Sequence, residues 1–480
     1  MEPPPIDPGP SRRTVALGSV AVVLFIALIA TVLSISQGAE ERSDNAVVSA
    51  GTPGTSGGRT PQTPETADPT PTRPRPTPFP SIPSFPSPTL PSGPPATSAE
   101  ISAEVEKLSK YVEQERGLRF KKSVDVEVLS STEFKRRLTT LLDAEVSAIE
   151  AQGRLYRALG LAPPDFDPVA AKEALLGAGV MGFYLPDTGE LVVRGQQITP
   201  FWRRIVVHEL THAIDDQNAG LNRPDVSART DGSEWAFQAL AEGSARRVEL
   251  AYVASLTDND RAQMQSEMGA MGAGQSALLT SAAAFPLRLV ILAEAPYNEG
   301  EPFVSALFAD GGTTRIDEAF SSPPVSSEQI LHPEKYRAGE LPVSVTAPGA
   351  DGEVTATGTL GEYLTGLVLA SADLPGDISS LLEDLLAGEG AEQFDLSDPN
   401  ALEEFMRKAL TKIDTPEGWG GDRYVLWDEN GKACIRVDWK WDSTQQKQAF
   451  DQQLRSWASS DPLVKIGPAT DDVSQITRCA

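Results

Sequence analysis

The sequence has few histidines, cysteines and basic side chains, and each shortage excludes a class of protein. Its 480 residues include 3 histidines and 2 cysteines, and 41 lysines and arginines stand against 67 aspartates and glutamates, which gives a net charge of −26. A chain this acidic is a poor partner for nucleic acid or for anionic lipid head groups. The two cysteines lack the CxxC spacing of cysteine-rich zinc sites, so we do not expect them to bind a metal.

Long apolar runs are equally scarce, and the one that stands out lies near the start of the chain. Residues 14–34 are uncharged, apolar and numerous enough to cross a bilayer as a helix. Arg12 and Arg13 precede this run and Glu40 follows it, so the positive-inside rule predicts that residues 1–13 form a cytoplasmic tail. A cleaved signal peptide is the competing interpretation, although the run exceeds the usual apolar core of one.

The next stretch is dominated by proline, threonine and serine. Residues 35–98 contain too little apolar surface to fold, so we expect a disordered and extended stalk. The rest of the chain is then predicted to lie outside the membrane. A linker without a tuned length is the simpler interpretation of the same composition.

Two of the three histidines stand four residues apart in the run His208-Glu209-Leu210-Thr211-His212. The segment is predicted to be a helix, because Thr199 is a good N-cap and Pro200 suits the first helical position. One helical turn places His208 and His212 on the same face, so both imidazoles reach one metal ion. Glu209 lies beside them, where it can accept a proton from water without binding the metal.

These residues resemble the zincin metallopeptidases, and most closely their gluzincin branch. The resemblance rests on residues 208–213 and on Asp216 one turn after His212. It implies a zincin-like mixed fold in which His208 and His212 bind Zn²⁺ and Glu209 acts as general base and then as general acid. It also implies that a glutamate on a following helix is the third zinc ligand.

Two glutamates are candidates for that third ligand. Asp231 and Glu234 form a predicted capping box, which gives Glu234 a structural role at the start of a helix. Glu242 stands among small residues, and a glycine inside a helix, here Gly243, usually has a packing reason. We therefore predict that Glu242 is the ligand. The alternative is an ordinary solvated pair of Glu242 with Arg246, four residues apart.

Further side chains are expected to support the zinc site. Where the gluzincin pattern often has an aspartate that orients a ligand histidine, this chain has Arg246, so Asp215 or Asp216 is predicted to take that role. The third histidine, His332, or the nearby Tyr336 is a candidate donor to the oxyanion that forms during hydrolysis. A structural histidine in a loop is the alternative for His332.

A β-hairpin is predicted just before the histidine helix. The segments Val180–Tyr184 and Leu191–Val193 flank the turn sequence at residues 186–189. In zincins a sheet edge at this place pairs with the extended substrate, so the resemblance implies a substrate-side hairpin. A hairpin that only packs on the helix is the alternative.

Near the C-terminus the pattern predicts a ββα unit. Strands at Tyr424–Trp427 and Ala433–Trp439 flank an Asn-Gly turn, and Ser443 caps a helix. Cys434 falls on what the alternation predicts to be the polar face of its strand, within reach of the C-terminal tail. In an exported domain such a pair most often forms a disulfide, so Cys434 and Cys479 are predicted to be bonded.

Together these patterns predict an α+β protein with a zinc peptidase domain at residues 99–340 and a C-terminal extension at 341–480 packed on it. The expected function is hydrolysis of peptide bonds in a peptide or protein substrate outside the cell membrane. The alternative function is a non-catalytic envelope binding or scaffold protein with a structural or vestigial zinc site. A closed site with four protein ligands would favour that alternative. No sequence feature indicates an oligomeric state.

Overall fold

The structure is a computed structural model that describes residues 93–480 except 144, 228, 274–285, 373, 375–412, 414 and 469–471. Helices and two separate sheets make the protein α+β, as predicted. The predicted cytoplasmic tail, the membrane segment and most of the stalk lie outside the described residues. Each helix within the described part is too short or too polar to cross a bilayer.

The first sheet has three strands, β1 (Val126–Leu129), β2 (Gly182–Leu185) and β3 (Glu190–Arg194). Their order is β1-β3-β2, with β1 parallel to β3 and β2 antiparallel to it. The β2–β3 pair confirms the predicted hairpin. Within the described residues β2 has a strand neighbour on one side only, so the hairpin contributes an edge of the sheet.

The helix that carries the histidines, α5 (Pro200–Ala219), packs between this sheet and the N-terminal helix. It follows four others: α1 (Ser98–Arg116), α2 (Ser131–Asp143), α3 (Val146–Leu159) and α4 (Pro168–Gly179). Thr199 caps α5 by accepting a hydrogen bond from the backbone of Trp202, which confirms the predicted start. Val206 and Leu210 belong to a core that also contains residues of α1, β2 and β3. Most residues of α5 are therefore buried, including its polar ones.

A pair of long helices forms the other wall around α5. The elements here are α6 (Pro224–Ser227), α7 (Asp231–Ser255), α8 (Asp258–Ala273) and α9 (Leu287–Gly311). Helices α7 and α9 touch at two glycines, because a Cβ on Gly243 would lie 2.2 Å from the carbonyl oxygen of Gly300. The predicted packing role of Gly243 is thus confirmed. The predicted capping box is wrong, since the N-cap of α7 is Thr230, whose side chain accepts from Ser233 N.

The C-terminal part is built on a second, five-stranded sheet. Its elements are α10 (Thr313–Ser321), α11 (Ser327–Leu331), α12 (Pro333–Ala338), β4 (Glu353–Gly358), α13 (Gly361–Ala370), β5 (Trp419–Glu429), β6 (Lys432–Trp441), α14 (Thr444–Ser460), β7 (Val464–Ile466) and β8 (Ser474–Cys479). The sheet order is β4-β5-β6-β8-β7, and every pair is antiparallel. Strands β5 and β6 with α14 are the predicted ββα unit. Their core shares a cluster with Leu159 and Leu161 of the preceding part.

The predicted disulfide is present between Cys434 and Cys479, which face each other across β6 and β8. The surroundings of Cys434 differ from the prediction, because its side chain is buried and packs against Val425 and Trp427. Ile435, the next residue, points to the opposite face, into the larger core. Both faces of this strand are thus apolar at this point.

Candidate metal centre

Helices α5 and α7 bring the three predicted metal ligands together. Oε2 of Glu242 lies 3.3 Å from Nε2 of His208 and 3.3 Å from Nε2 of His212. The two imidazole Nε2 atoms are 3.2 Å apart. The three side chains belong to the buried polar residues, so the atoms form a small triangle inside the protein.

The triangle has the size that a zinc ion requires. Zinc binds histidine nitrogen and carboxylate oxygen at roughly 2.0–2.2 Å with tetrahedral geometry, so two such ligand atoms lie about 3.3 Å apart. All three separations match this value within about 0.1 Å. Oε2 of Glu242 accepts no hydrogen bond of good geometry within the described part of the chain, although it is buried. A buried carboxylate oxygen aimed at two imidazole nitrogens suits a cation between them.

Two other groups of acidic or cysteine side chains come equally close together, and neither suits a metal ion. One comprises Glu328, Glu340 and Asp442, and the other comprises Glu429, Cys434 and Cys479. In the first, Nζ of Lys335 lies 2.5 to 2.8 Å from all three carboxylates and supplies the positive charge. In the second, the two sulfurs are consumed in the disulfide.

The orientation of His208 is fixed by Glu249, a residue that the sequence analysis did not select. Nδ1 of His208 lies 2.9 Å from Oε2 of Glu249. The other oxygen of Glu249 accepts hydrogen bonds from Arg204 Nε at 2.6 Å and from Arg246 Nη1 at 2.7 Å. When Nδ1 of His208 donates to the carboxylate, Nε2 presents its lone pair to the centre of the triangle.

Asp215 and Asp216 were predicted to orient a ligand histidine, but both bind other partners. Asp215 accepts hydrogen bonds from Nε of Arg116 at 2.8 Å and from Oγ of Ser244 at 2.7 Å, and so ties α1 and α7 to α5. Asp216 accepts from the hydroxyl of Tyr184 on β2 at 2.7 Å. The predicted orienting role of these two aspartates is therefore wrong. They hold the histidine helix in place instead.

The local charges favour a cation at the centre. Burial disfavours the protonated imidazole of His208, but the nearby carboxylates of Glu242 and Glu249 outweigh this effect and raise its pKa to about 10. Burial likewise opposes the charge of Glu242, yet the two histidines lower its pKa overall. The pKa of Glu249 is held well below its ordinary value, against its burial, by Arg204 and Arg246. The two carboxylates thus favour a positive charge at the centre of the triangle.

Glu209 lies between the histidine helix and strand β2. Its side chain is buried, and it approaches the backbone at Gly182 so closely that a Cβ there would lie 3.2 Å from Cγ of Glu209. The same Cβ would lie 2.7 Å from Cγ2 of Ile205. Glycine at position 182 thus lets the edge strand run directly along the face of α5 that carries Glu209.

His332 is not one of the side chains that gather at this centre. It ends α11, with Nε2 3.0 Å from Oε1 of Glu362 and Nδ1 3.6 Å from Glu334. The hydrogen bond to Glu362 raises the pKa of His332. Tyr336 donates its hydroxyl proton to the carbonyl oxygen of Ser322 at 2.8 Å. The catalytic role of His332 or Tyr336 stays a prediction.

Helix α9 adds two residues that the sequence analysis missed. The ring of Tyr297 stacks beside that of His208, with a centroid separation of 6.2 Å and an interplanar angle of 27°. Glu294, one turn earlier, is only 6% exposed. Burial and the negative charge of Glu242 raise its pKa to about 8, although Arg246 acts in the opposite direction. A lone acid within the apolar run at 289–295 is the signal that would have identified Glu294.

No family model matches the sequence, and no match is found among curated proteins. A solved structure that is similar is described as "Crystal structure of a putative hydrolase with a novel fold from Chloroflexus aurantiacus". It shares 17% sequence identity, the match covers 51% of this chain and 92% of that chain, and the TM-score is 0.33. A likeness this weak carries no argument about the fold or the function of this protein.

Proposed function

We propose that this protein is a zinc-dependent peptidase with His208, His212 and Glu242 as metal ligands and Glu209 as the catalytic acid and base. The observation that supports the proposal is the triangle of buried donor atoms, whose sides of 3.2 to 3.3 Å fit one tetrahedral zinc ion. The resemblance of residues 208–213 to the zincins supports the same assignment. The described residues supply three ligands, which leaves one coordination position for water.

The chemistry is divided between the metal and one carboxylate. When bound, zinc lowers the pKa of a water molecule and polarises the peptide carbonyl. Glu209 takes the proton that the attacking water loses and delivers it to the amide nitrogen, so that a C–O bond forms as the C–N bond breaks. Burial of Glu209 strengthens its electrostatic interaction with this proton. Glu249 holds the imidazole of His208 in the tautomer that binds metal.

The substrate is proposed to lie along strand β2. An extended peptide can add to a sheet edge through main-chain hydrogen bonds, and β2 has a strand neighbour on one side only within the described residues. The close approach of Gly182 to Glu209 would then place the scissile bond beside the catalytic carboxylate. Tyr297, stacked beside His208, is a second group close to the reacting atoms.

One observation favours a second candidate, a zinc site that maintains structure without catalysis. The two histidine ligands are each 5% exposed and Glu242 is 1% exposed, which is typical of a closed structural site. A structural site, however, has four protein ligands, and the described residues bring three together. The intact Glu209 also has no role in a structural site. These two points favour the peptidase.

The decisive experiment changes Glu209 to Gln in the full chain. We expect the variant to keep zinc at the wild-type stoichiometry and to lose hydrolysis of a peptide library by about 10²- to 10⁴-fold, the usual effect of a general base. The same exchange at Glu234, a glutamate on α7 outside the triangle, is the matched control and should leave both quantities unchanged. Zinc binding by a wild type that cleaves no peptide would support the structural candidate.

We also propose that residues 14–34 anchor the protein in the cell membrane, with the zinc domain outside. The uncharged run and the flanking charges support this orientation. The full chain should remain in the membrane fraction after a high-salt wash, and a protease added to intact cells should release the C-terminal domain. Recovery of the protein from the soluble cytoplasmic fraction would exclude the anchor.

A further inference from the structure

Glu294 on α9 is a buried acid with no partner of its own. Its side chain is 6% exposed, and no hydrogen bond or ion pair reaches its carboxylate from the described residues. The charge of Arg246 acts on Glu294, but its guanidinium donates a hydrogen bond to Glu249. Buried carboxylates are normally paired, because an isolated charge in a protein interior is costly. A carboxylate kept in this state suits a cation that arrives from outside.

The position of Glu294 relates it to the metal centre. Tyr297 lies one turn later on the same face of α9 and stacks beside the ring of His208. The negative charge of Glu242 contributes to the raised pKa of Glu294. Glu294 nevertheless contributes no atom to the ligand triangle. It is therefore a second acidic group beside the reacting centre, and a bound cation would favour its charged form.

A stacked aromatic pair includes Trp235, which lies on the same helix as Glu242. Trp235 precedes Glu242 by two turns, so both side chains lie on one face of α7. The rings of Trp235 and Tyr363 are stacked, with centroids 5.3 Å apart and an interplanar angle of 21°. The charges of Glu294 and Glu299 both act on Tyr363. The indole Nε1 of Trp235 is buried without a hydrogen-bond partner among the described residues.

Aromatic faces beside unpaired carboxylates are the combination that recognises organic cations. We propose that Glu294 is the anionic end of a subsite beside the metal centre that binds an ammonium or guanidinium group of the substrate, with Trp235 and Tyr363 as its aromatic wall. This inference rests on the proposed peptidase function and makes it more specific. The cationic group is a lysine or arginine side chain near the scissile bond, or the free amino terminus of a short peptide.

The test measures binding rather than turnover. The zinc-loaded Glu209→Gln protein is titrated calorimetrically with two peptides that are blocked at both ends and differ at one position, lysine against norleucine. Norleucine keeps the aliphatic stem and lacks the ammonium. We expect the lysine peptide to bind about 10- to 100-fold more tightly, the range for a buried charged hydrogen bond. Adding Glu294→Gln should reduce this ratio to about one.

A second arm identifies the source of the cation. A neutral peptide with a free amino terminus is compared with its acetylated form, and the preference for the free form is again measured with and without Glu294→Gln. Glu301→Gln is the matched control, since Glu301 lies on the same helix and accepts a hydrogen bond from Ser305. This control should leave both preferences unchanged.

The outcomes separate this inference from the proposed function. The subsite is overturned if the Glu209→Gln protein, which keeps Glu294, binds charged and neutral peptides equally or binds neither. A preference that survives Glu294→Gln overturns it as well. A preference that depends on Glu294 in a protein whose wild type cleaves none of these peptides supports the cation subsite and contradicts the peptidase.

Discussion

The two halves of the described structure bury different kinds of side chain. Around the candidate metal centre, helices α5 and α7 bury charged side chains, among them Arg204, Glu242 and Glu249. The C-terminal sheet buries aromatic and aliphatic side chains, and its largest fully buried residues include Trp427 and Trp439. A covalent link, Cys434–Cys479, closes the sheet, while the helical part described here is held by ion pairs and packing.

This contrast indicates where function and stability reside. A buried ion pair is often no better for stability than an apolar pair of the same volume, whereas removal of one partner is strongly destabilising. A protein therefore has little thermodynamic reason to keep a network such as Glu249 with His208 and two arginines unless a site depends on it. The apolar sheet, in contrast, needs no such explanation. Changes in the first half should thus alter metal binding, and changes in the second should alter unfolding.

The largest effect is expected from Glu242→Ala, which removes one corner of the ligand triangle. The purified variant should contain no stoichiometric zinc by atomic absorption. Loss of a partner also leaves His208 and His212 buried without their carboxylate, so the free energy of unfolding should fall by about 3–5 kcal/mol. Glu234→Ala, on the same helix, is the control and should retain full zinc content. The reverse result for the two variants would make Glu234 the ligand.

A change in the sheet should have the complementary effect. Replacement of Cys434 and Cys479 by serine removes a link between residues 45 apart in sequence. Loop-closure entropy gives a loss of about 4 kcal/mol in the free energy of unfolding, measured by denaturant titration. Zinc affinity of the folded protein should stay within about twofold, because no element of the sheet contributes a ligand. A large drop in zinc affinity would show that the two halves are coupled.

The same contrast explains which parts of the structure can be predicted from the sequence. The hairpin at β2–β3, the start of α5 and the disulfide were predicted, because turn residues, caps and cysteine pairs act locally or have few alternatives. His208, His212 and Glu242 came together as predicted, because one helical turn fixes the first two and the small residues around Glu242 indicated close packing. Their binding of zinc stays a prediction.

Residues that act across helices were missed for a physical reason. Glu249 is recognisable as the orienting carboxylate only when α7 is docked on α5, since nothing in its own neighbourhood distinguishes it from a surface glutamate. Tyr297 reaches His208 from a helix 89 positions away in the chain. The wrong assignment of Asp215 and Asp216 has the same origin, because sequence proximity to His212 says nothing about direction. Both carboxylates point to other partners.

The role of Glu249 leads to a prediction of intermediate size. Glu249→Gln keeps the shape of the side chain and removes the charge that holds the imidazole of His208. Loss of such an orienting partner typically weakens metal binding by about 10- to 100-fold. We expect a decrease of this size in zinc affinity, measured by competition with a chromophoric chelator. The control is Glu328→Gln. Glu328 is also a buried glutamate, but it lies outside the centre and pairs with Lys335, so its replacement should leave zinc affinity unchanged. Unchanged affinity in Glu249→Gln would show that His208 needs no orienting group.

The smallest effect concerns the metal-free protein and depends on pH. Burial raises the pKa of Glu294 to about 8 from an ordinary value near 4.5, so the folded state holds this proton longer than the unfolded state does. The associated stability is fully present below about pH 4.5 and is lost as the pH rises towards 8. The wild type, with zinc removed, should lose about 1 kcal/mol of unfolding free energy between pH 6 and 7 beyond any change in Glu294→Gln. Glu301→Gln should follow the wild-type curve. Parallel curves for wild type and Glu294→Gln would mean that another group in the folded protein already neutralises a charged Glu294. That result would also remove the reason for a cation subsite beside the candidate metal centre.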